Sequence, residues 1–240
     1  KVIYYRKNSA IALASPSEFD WYNIFETCGW LHFTGITPAL SDNLAQACID
    51  ACRTAKEKGI TVSCDLNYRS SLWSKEKAKT VMGKLMPLVD VCIANEEDAS
   101  DVLGIVAEET DVDRGKLNKN GYISVAKQIV EQFGCSKVAI TLRSSLSAND
   151  NDWAGMLYVD GTAYFSREYR IHIVDRVGGG DSFGGALIYA LQSGYDPQKI
   201  IEFAVAASCL KQTIEQDFNL VSVKEVETLM NGNGTGRVQR

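Results

Sequence analysis

The chain has 240 residues, of which 45% are hydrophobic and 23% are charged, as is typical of a soluble globular protein. Its net charge of −5 lacks the basic excess of nucleic-acid-binding proteins, and no apolar run is long enough to cross a bilayer. These features argue against nucleic acid and membrane as partners. The seven cysteines include no CxxC pair, which argues against a disulfide framework or a zinc site. We therefore expect a cytoplasmic protein with reduced thiols.

Strand-like and helical patterns alternate along most of the chain. Strands are predicted at 30–35, 61–67, 91–95 and 137–143, and helices at 41–58, 74–86 and 121–133, with a short helix ending near Gly104. The run 154–169 predicts a hairpin around Asp160 and Gly161. Asp196-Pro197 and the pair Ser222 and Glu225 predict the starts of two later helices. This alternation predicts one α/β domain over residues 1–240, with a mostly parallel sheet covered on both faces.

Polar residues follow four of the predicted strands. They are Asp65-Leu66-Asn67, Asn95, Thr141-Leu142-Arg143 and Asp175. Ligands of open parallel sheets bind beyond the carboxyl ends of the strands, so we expect a binding site where these ends meet.

The segment "DRVGGGDSFGGALI" (175–188) places three glycines and an aspartate before an apolar helix. It contains neither G-x-x-x-x-G-K-[ST] nor G-x-G-x-x-G, which excludes the two common nucleotide-binding patterns. The N–H groups of Gly178, Gly179 and Gly180, at the positive end of the helix, favour a bound anion. Asp181 has two interpretations, as the helix cap or as a base that accepts a proton during phosphoryl transfer.

This segment resembles the C-terminal signature of the ribokinase-like, phosphofructokinase-B sugar kinases, whose usual form is D-T-x-G-A-G-D-x-F. Arg176 and Gly179 stand where that form has Thr and Ala. The resemblance implies a ribokinase-like three-layer α/β/α fold, with ATP and Mg²⁺ as cofactors. It also implies that Gly178, Gly179 and Gly180 form an anion hole and that Asp181 is the catalytic base.

A second segment, "CDLNYRSSLW", resembles the branch of this family that phosphorylates 2-keto-3-deoxygluconate. Asp65, Asn67 and Arg69 are predicted to alternate along a strand end and to project to one side, although an ordinary polar strand end also explains these residues. A guanidinium suits bidentate binding of a carboxylate, which a neutral sugar lacks. The resemblance, which extends to "VIYYRKNSAI", implies that Tyr4, Arg6 and Arg69 bind the sugar acid.

The remaining site residues follow from the same resemblance. In "NEEDA", Asn95 matches the start of an N-x-x-E motif and Asp98 stands where that motif has Glu. Both are expected to influence magnesium through water, although acids at a helix start are also favoured by its dipole. The late segment "QTIEQDFNLVS" is expected to place Asp217 near the sugar. The nucleotide is expected to contact Asn67, Thr141, Arg143, Ser144, Gly178 and Gly180.

The predicted function is ATP-dependent phosphorylation of 2-keto-3-deoxygluconate to 2-keto-3-deoxy-6-phosphogluconate. The alternatives are a neutral-sugar kinase of the same family, such as a fructokinase, and a catalytically silent nucleotide-binding fragment. The family begins with a strand, a sugar-contacting glycine pair and lid strands, none of which we identify in these 240 residues. We therefore expect the chain to be N-terminally incomplete, to have little activity alone, and to form a homo-oligomer through the lid when complete.

Overall fold

The computed structural model describes residues 6, 8–106, 119–147 and 149–232. Their contacts define two compact units, the first comprising described residues up to 138 and the second those from 139 onward. The predicted single domain stays a prediction. None of the helices in these ranges combines the length and apolarity that a membrane crossing requires.

The first unit contains three parallel strands in chain order. Strand β2 (Thr61–Asp65) pairs with β1 (Trp30–Thr34) and with β3 (Val91–Ala94). Every residue of β3 is buried, as expected for a parallel strand that is covered on both faces. The helices of this unit are α1 (Ala10–Leu13), α2 (Trp21–Ile24), α3 (Ile36–Leu40), α4 (Asp42–Glu57), α5 (Lys75–Leu85), α6 (Glu96–Asp98) and α7 (Lys119–Phe133).

Helix α4 begins and packs as its sequence predicts. The hydroxyl of Ser41 accepts a hydrogen bond from the N–H of Leu44 at 3.2 Å, which satisfies one donor of the first turn. Leu44, Cys48 and Cys52 recur every four residues and are buried, so one face of the helix covers the core.

The ends of β1 and β2 are held together by Gly35. Its N–H donates to the carbonyl oxygen of Asp65 at 2.8 Å, and a Cβ atom at this position would lie 2.1 Å from the carbonyl oxygen of Leu66. Only glycine permits this approach. It fixes the start of the polar segment that follows β2.

The second unit contains the hairpin that the sequence predicts. Strand β4 (Lys137–Ser145) begins at the boundary of the units and neighbours β5 (Asp150–Val159), which pairs antiparallel with β6 (Thr162–Phe165) and β7 (Tyr169–His172). The turn at Asp160 and Gly161 has φ values of 50° and 76°, which confirms it. The helices of this unit are α8 (Gly179–Gln192), α9 (Pro197–Lys211) and α10 (Val223–Met230).

One of the four predicted strand ends is wrong. Thr141 and Arg143 lie inside β4, because the tight connection to β5 extends that strand to Ser145, with the N–H of Leu146 donating to the carbonyl of Asp150 at 3.0 Å. The polar residues after Arg143 indicate a loop in the sequence, but the strand continues to Ser145. Asp175 does follow the end of a strand, β7, whose last residue His172 pairs with Asp150 at the start of β5. In the first unit, Asp65-Leu66-Asn67 and Asn95 lie at the carboxyl ends of the parallel strands β2 and β3, as predicted.

The seven cysteines are all free. Only Cys28 is exposed, and the other six are buried. Burial raises the pKa of Cys48, Cys52 and Cys135 to about 12, because a thiolate loses its hydration in the core. These buried thiols therefore behave as small apolar side chains.

Candidate active site

The glycine turn forms the N-terminus of α8. Gly178 is the N-cap residue with a φ of 79°, in the left-handed region, and Gly179 and Gly180 are the first two helical residues. A Cβ atom at Gly178 would lie 2.5 Å from the carbonyl oxygen of Asp217. Glycine is therefore required here both for its backbone conformation and for the approach of the later loop. The N–H of Gly179 donates to the carbonyl of Arg176 at 3.3 Å, whereas the N–H of Gly180 has no partner inside the helix and can meet an anion.

Asp181 is the third residue of α8 and is exposed. Gly178 occupies the N-cap position, and no side chain caps this helix. The capping interpretation of Asp181 is therefore wrong. Within the described ranges its carboxylate accepts no hydrogen bond, although the positive end of the helix favours its charge. The carboxylate is thus available to a bound molecule.

A cavity of about 450 Å³ adjoins the glycine turn. The turn and its neighbours contribute Gly178, Asp181 and Asp217 to the lining. Most of the remaining wall is apolar, and its two polar side chains are those of Ser182 and Asn219. The other lining residues are Gly185, Ala186, Tyr189, Phe203, Ala207, Phe218, Val221, Val223 and Val226. Sequence reasoning missed this wall, because apolar residues of three helices give no motif.

The loop that carries Asp217 is tied to the segment before the glycine turn by Asp175. One carboxylate oxygen of Asp175 accepts the N–H of Val177 at 2.9 Å, and the other accepts the N–H of Gln216 at 3.0 Å. The hydrogen bond from Val177 is the main cause that lowers the pKa of Asp175, with a further contribution from Gln216. Asp175 therefore organises the turn from outside the cavity.

The three residues of β4 that were expected to contact the nucleotide do not line this cavity. Thr141 is partly buried within the strand, while Arg143 and Ser144 are exposed. Their role toward the nucleotide stays a prediction.

In the first unit, the segment after β2 departs from the expected strand. The strand ends at Asp65, and Asn67 has a φ of 38°, so the predicted alternation to Arg69 is wrong. The amide of Asn67 donates to the Thr34 hydroxyl at 3.0 Å, which ties this segment to the end of β1. Arg69 is exposed and donates to the carbonyl of Tyr68 at 2.8 Å. A guanidinium at this surface can still reach a ligand carboxylate.

Asp98 connects the segments that follow β2 and β3. Its carboxylate oxygens accept the N–H of Tyr68 at 3.1 Å and the side-chain amide of Asn95 at 2.8 Å, and its own N–H donates to the Asn95 side-chain oxygen at 2.7 Å. Burial raises the pKa of Asp98 to about 6, although the Tyr68 N–H and the Arg69 charge act in the opposite direction. Asp98 thus positions the backbone next to Arg69.

This arrangement does not fit direct binding of a metal by Asn95 or Asp98. Both carboxylate oxygens of Asp98 and both polar atoms of the Asn95 amide already have partners in the chain. Across the described residues, no cluster of three His, Cys, Asp or Glu side chains could hold an ion. An effect on magnesium through water stays a prediction.

Replacing Asp98 by asparagine is expected to remove a pH-dependent component of stability. Between the unfolded pKa of 3.8 and the folded pKa of about 6, the folded state binds more protons, so the free energy of unfolding falls as pH rises. The difference in unfolding free energy between wild type and Asp98→Asn should therefore change by roughly 2 kcal/mol between about pH 4 and 7, with the wild type favoured at low pH.

Urea unfolding at both pH values measures this difference. Asp160→Asn is the matched control, because Asp160 is exposed and asparagine tolerates its left-handed conformation. An Asp98→Asn difference that does not change with pH would contradict the interpretation.

The predicted sugar-acid residues near the start of the chain are only partly described. Tyr4 lies outside the described residues. The carbonyl of Arg6 accepts the N–H of Ser9 at 3.1 Å and its hydroxyl at 2.9 Å, and Ser9 in turn caps α1. A contact of Tyr4 or Arg6 with a sugar acid stays a prediction.

Comparison with known proteins shows consistent similarity. A sequence model described as pfkB family carbohydrate kinase matches residues 1–216. A crystal structure of 2-dehydro-3-deoxygluconokinase from Thermotoga maritima is 50% identical, with a TM-score of 0.91, over 97% of this chain and 68% of that one. Solved structures of this kind confirm the ribokinase-like α/β fold with a mostly parallel sheet.

Two curated relatives match nearly the whole chain. The 2-dehydro-3-deoxygalactonokinase of Haloferax volcanii is 33% identical over 98% of this chain and 67% of its own length. The 2-dehydro-3-deoxygluconokinase of Thermoproteus tenax is 28% identical over 96% of this chain and 63% of its own length. The chain thus spans about two thirds of the length of these relatives.

Proposed function

Because the chain belongs to the pfkB family of carbohydrate kinases, we propose that the complete protein phosphorylates a 2-keto-3-deoxy sugar acid, namely 2-keto-3-deoxygluconate, with ATP. One observation carries the proposal. Asp181, whose carboxylate has no partner in the described chain, lies beside the glycine N-terminus of α8 and lines the same cavity as Gly178. A base and an anion site are thereby adjacent, as phosphoryl transfer requires.

In the proposed reaction, Asp181 accepts the proton of the terminal hydroxyl of the sugar acid. The hydroxyl oxygen forms a bond to the γ-phosphorus of ATP, the bond from that phosphorus to the bridging oxygen breaks, and ADP leaves. The N–H of Gly180, with the dipole of α8, stabilises the negative charge of the transferring group. The products are ADP and 2-keto-3-deoxy-6-phosphogluconate.

We place the base of ATP in the cavity beside the glycine turn. Its apolar wall, with Tyr189 and Phe203, suits a flat heteroaromatic ring, and the phosphates would then extend toward Gly178. Magnesium is expected to arrive with the nucleotide, since it prefers phosphate oxygens and water to protein cages and would neutralise phosphate charge there. We assign no residue of the chain as a direct magnesium ligand.

The acid end of the substrate is assigned to Arg69, Arg6 and Tyr4, and Asp217 to the sugar. Arg69 is exposed after β2, and Asp217 lines the cavity beside the glycine turn. The named relatives act on 2-keto-3-deoxy acids of both gluconate and galactonate type, which supports an acidic substrate. Rates of ADP release with each of these two C4 epimers will show which one the protein prefers.

The complete protein should phosphorylate 2-keto-3-deoxygluconate far better than fructose or ribose. A neutral sugar would leave the guanidinium of Arg69 without its carboxylate, and losing a charged hydrogen bond of this kind costs about 1.5–3 kcal/mol, or roughly 10- to 150-fold in kcat/KM. ADP release measured with both C4 epimers, fructose and ribose tests this preference.

Arg69→Met should remove the preference, chiefly by raising the KM for the acid. Arg53→Met is the matched control, since Arg53 is exposed on α4. Rates with fructose equal to those with the sugar acid would instead support a neutral-sugar kinase. No turnover with any sugar, together with nucleotide binding, would support a silent nucleotide-binding protein.

Two further expectations belong to this proposal. Free, buried thiols are consistent with a reducing compartment such as the cytoplasm. Self-association through lid strands stays a prediction, and size-exclusion chromatography of the complete protein tests it.

A further inference from the structure

Lys211, the last residue of α9, is fully buried, with a relative exposure of 0%. Its ammonium donates to the carbonyl oxygens of Ile214 at 3.2 Å and Gln216 at 2.5 Å. Within the described ranges, no carboxylate lies within ion-pair distance of it. An ammonium without a direct counter-ion is expensive to bury, so it requires a compensating role.

The position of this ammonium relates it to the phosphate site. The Cε atom of Lys211 lies 3.3 Å from where a Cβ of Gly178 would be, directly behind the N-cap of α8. The carbonyls that it binds belong to the loop that carries Asp217. Asp175, which accepts the Gln216 N–H, also has its pKa lowered by the charge of Lys211.

Two features of this loop are unfavourable without a cation beside it. Gln216 adopts a left-handed φ of 66°, which is unfavourable for a residue with a side chain. Two carbonyls of the loop converge on one point, where their negative ends repel each other unless a cation lies between them. Lys211 supplies that cation from the end of a rigid helix.

We propose that Lys211 is a positioning residue for phosphoryl transfer, whose ammonium holds residues 214–217 against Gly178 and adds fixed positive charge behind the glycine anion site. This inference rests on the proposed function, because it assigns a role in the same site. The phosphate that it favours is the transferring group of ATP. A purely structural lysine would affect stability without acting on turnover.

The test compares Lys211→Met and Lys211→Ala in the complete protein. Methionine retains much of the apolar stem without the charge, and is expected to lower kcat by about 10- to 100-fold with little change in the KM for the sugar acid, as a misplaced site would. Lys199→Met is the matched control on the same helix. Lys199 pairs with Glu227 at 3.4 Å at the surface, and its removal should leave kcat unchanged.

Ammonium chloride gives the second measurement. Alanine leaves space for a free ammonium ion between the two carbonyls, so ammonium should restore kcat of Lys211→Ala at least severalfold in a saturable manner. Choline chloride at the same ionic strength should not, because its cation is too large. The melting temperature of Lys211→Ala should rise in parallel with ammonium but not with choline, while the wild type responds equally to both salts.

Several results would overturn the inference. One is a folded Lys211→Met variant with normal kcat, and another is a loss of kcat in Lys211→Ala that ammonium does not reverse. If the variants unfold too readily for kinetics, the inference is overturned when the melting temperature of Lys211→Ala responds equally to ammonium and to choline. If the wild type shows no kinase activity, the proposed function fails, but the ammonium-specific melting response still reports on the cation site.

Discussion

Asp181→Asn is expected to lower the turnover number by about two to four orders of magnitude, because asparagine cannot accept the proton of the substrate hydroxyl. The free energy of unfolding should change little. The Asp181 carboxylate is exposed and forms no capping hydrogen bond in the described chain, so only its interaction with the helix dipole is lost. Steady-state ADP release and urea unfolding, both on the same purified variant, separate these two effects.

Asp42→Asn is the matched control for this experiment. Asp42 is likewise an acid in the first turn of a helix, α4, and its carboxylate pairs with Lys77 at 2.8 Å. Its replacement should leave turnover intact. Near-normal turnover in a folded Asp181→Asn variant would exclude Asp181 as the base and leave it only a favourable charge at a helix start.

Gly178→Ala is expected to lose both stability and activity. An alanine would have to adopt a φ of 79° with its Cβ atom 2.5 Å from the carbonyl oxygen of Asp217. Left-handed strain and overpacking together should cost on the order of 2–4 kcal/mol in unfolding free energy. Because the loop with Asp217 must move away from the N-terminus of α8, turnover should fall by at least about tenfold.

Gly180→Ala tests the anion site without a change in packing. A Cβ atom at Gly180 meets nothing within 4 Å, so the helix should retain or slightly gain stability, by up to about 1 kcal/mol. Turnover should nevertheless fall by about tenfold or more if a phosphoryl group approaches this N–H, because the methyl group would stand in its way. Gly83→Ala in α5 is the control, since its Cβ atom also meets nothing within 4 Å. Equal turnover in both variants would exclude an anion at Gly180.

Local features of the fold were predictable where one short segment determines them. The Ser41 cap, the Asp196-Pro197 helix start and the capping box of Ser222 and Glu225 all form as their sequences indicate. Each depends on hydrogen bonds within three residues, which a linear pattern encodes directly. The glycine turn was predictable for the same reason, because a left-handed N-cap favours glycine.

Features that depend on contacts distant in sequence were not predictable. The left-handed Asn67 ends the expected alternation after β2. Nothing in the sequence marks Lys211 as buried, because lysine is usually exposed and its partners are carbonyls that carry no residue signature. Asn219, whose amide donates to the Ser182 hydroxyl at 2.7 Å, also emerges only from the folded loop.

The distribution of thiols makes the chain suited to selective chemical labelling. Alkylating reagents attack thiolates, and a buried cysteine whose pKa is raised to about 12 has almost no thiolate near neutral pH. Cys28, which lies in the first unit before β1, is the one solvent-exposed thiol of the seven. A maleimide dye added to the native chain should therefore attach at a single known position without any cysteine being removed by mutation. Its fluorescence would then report whether binding of a sugar acid or a nucleotide changes the surroundings of that position in solution.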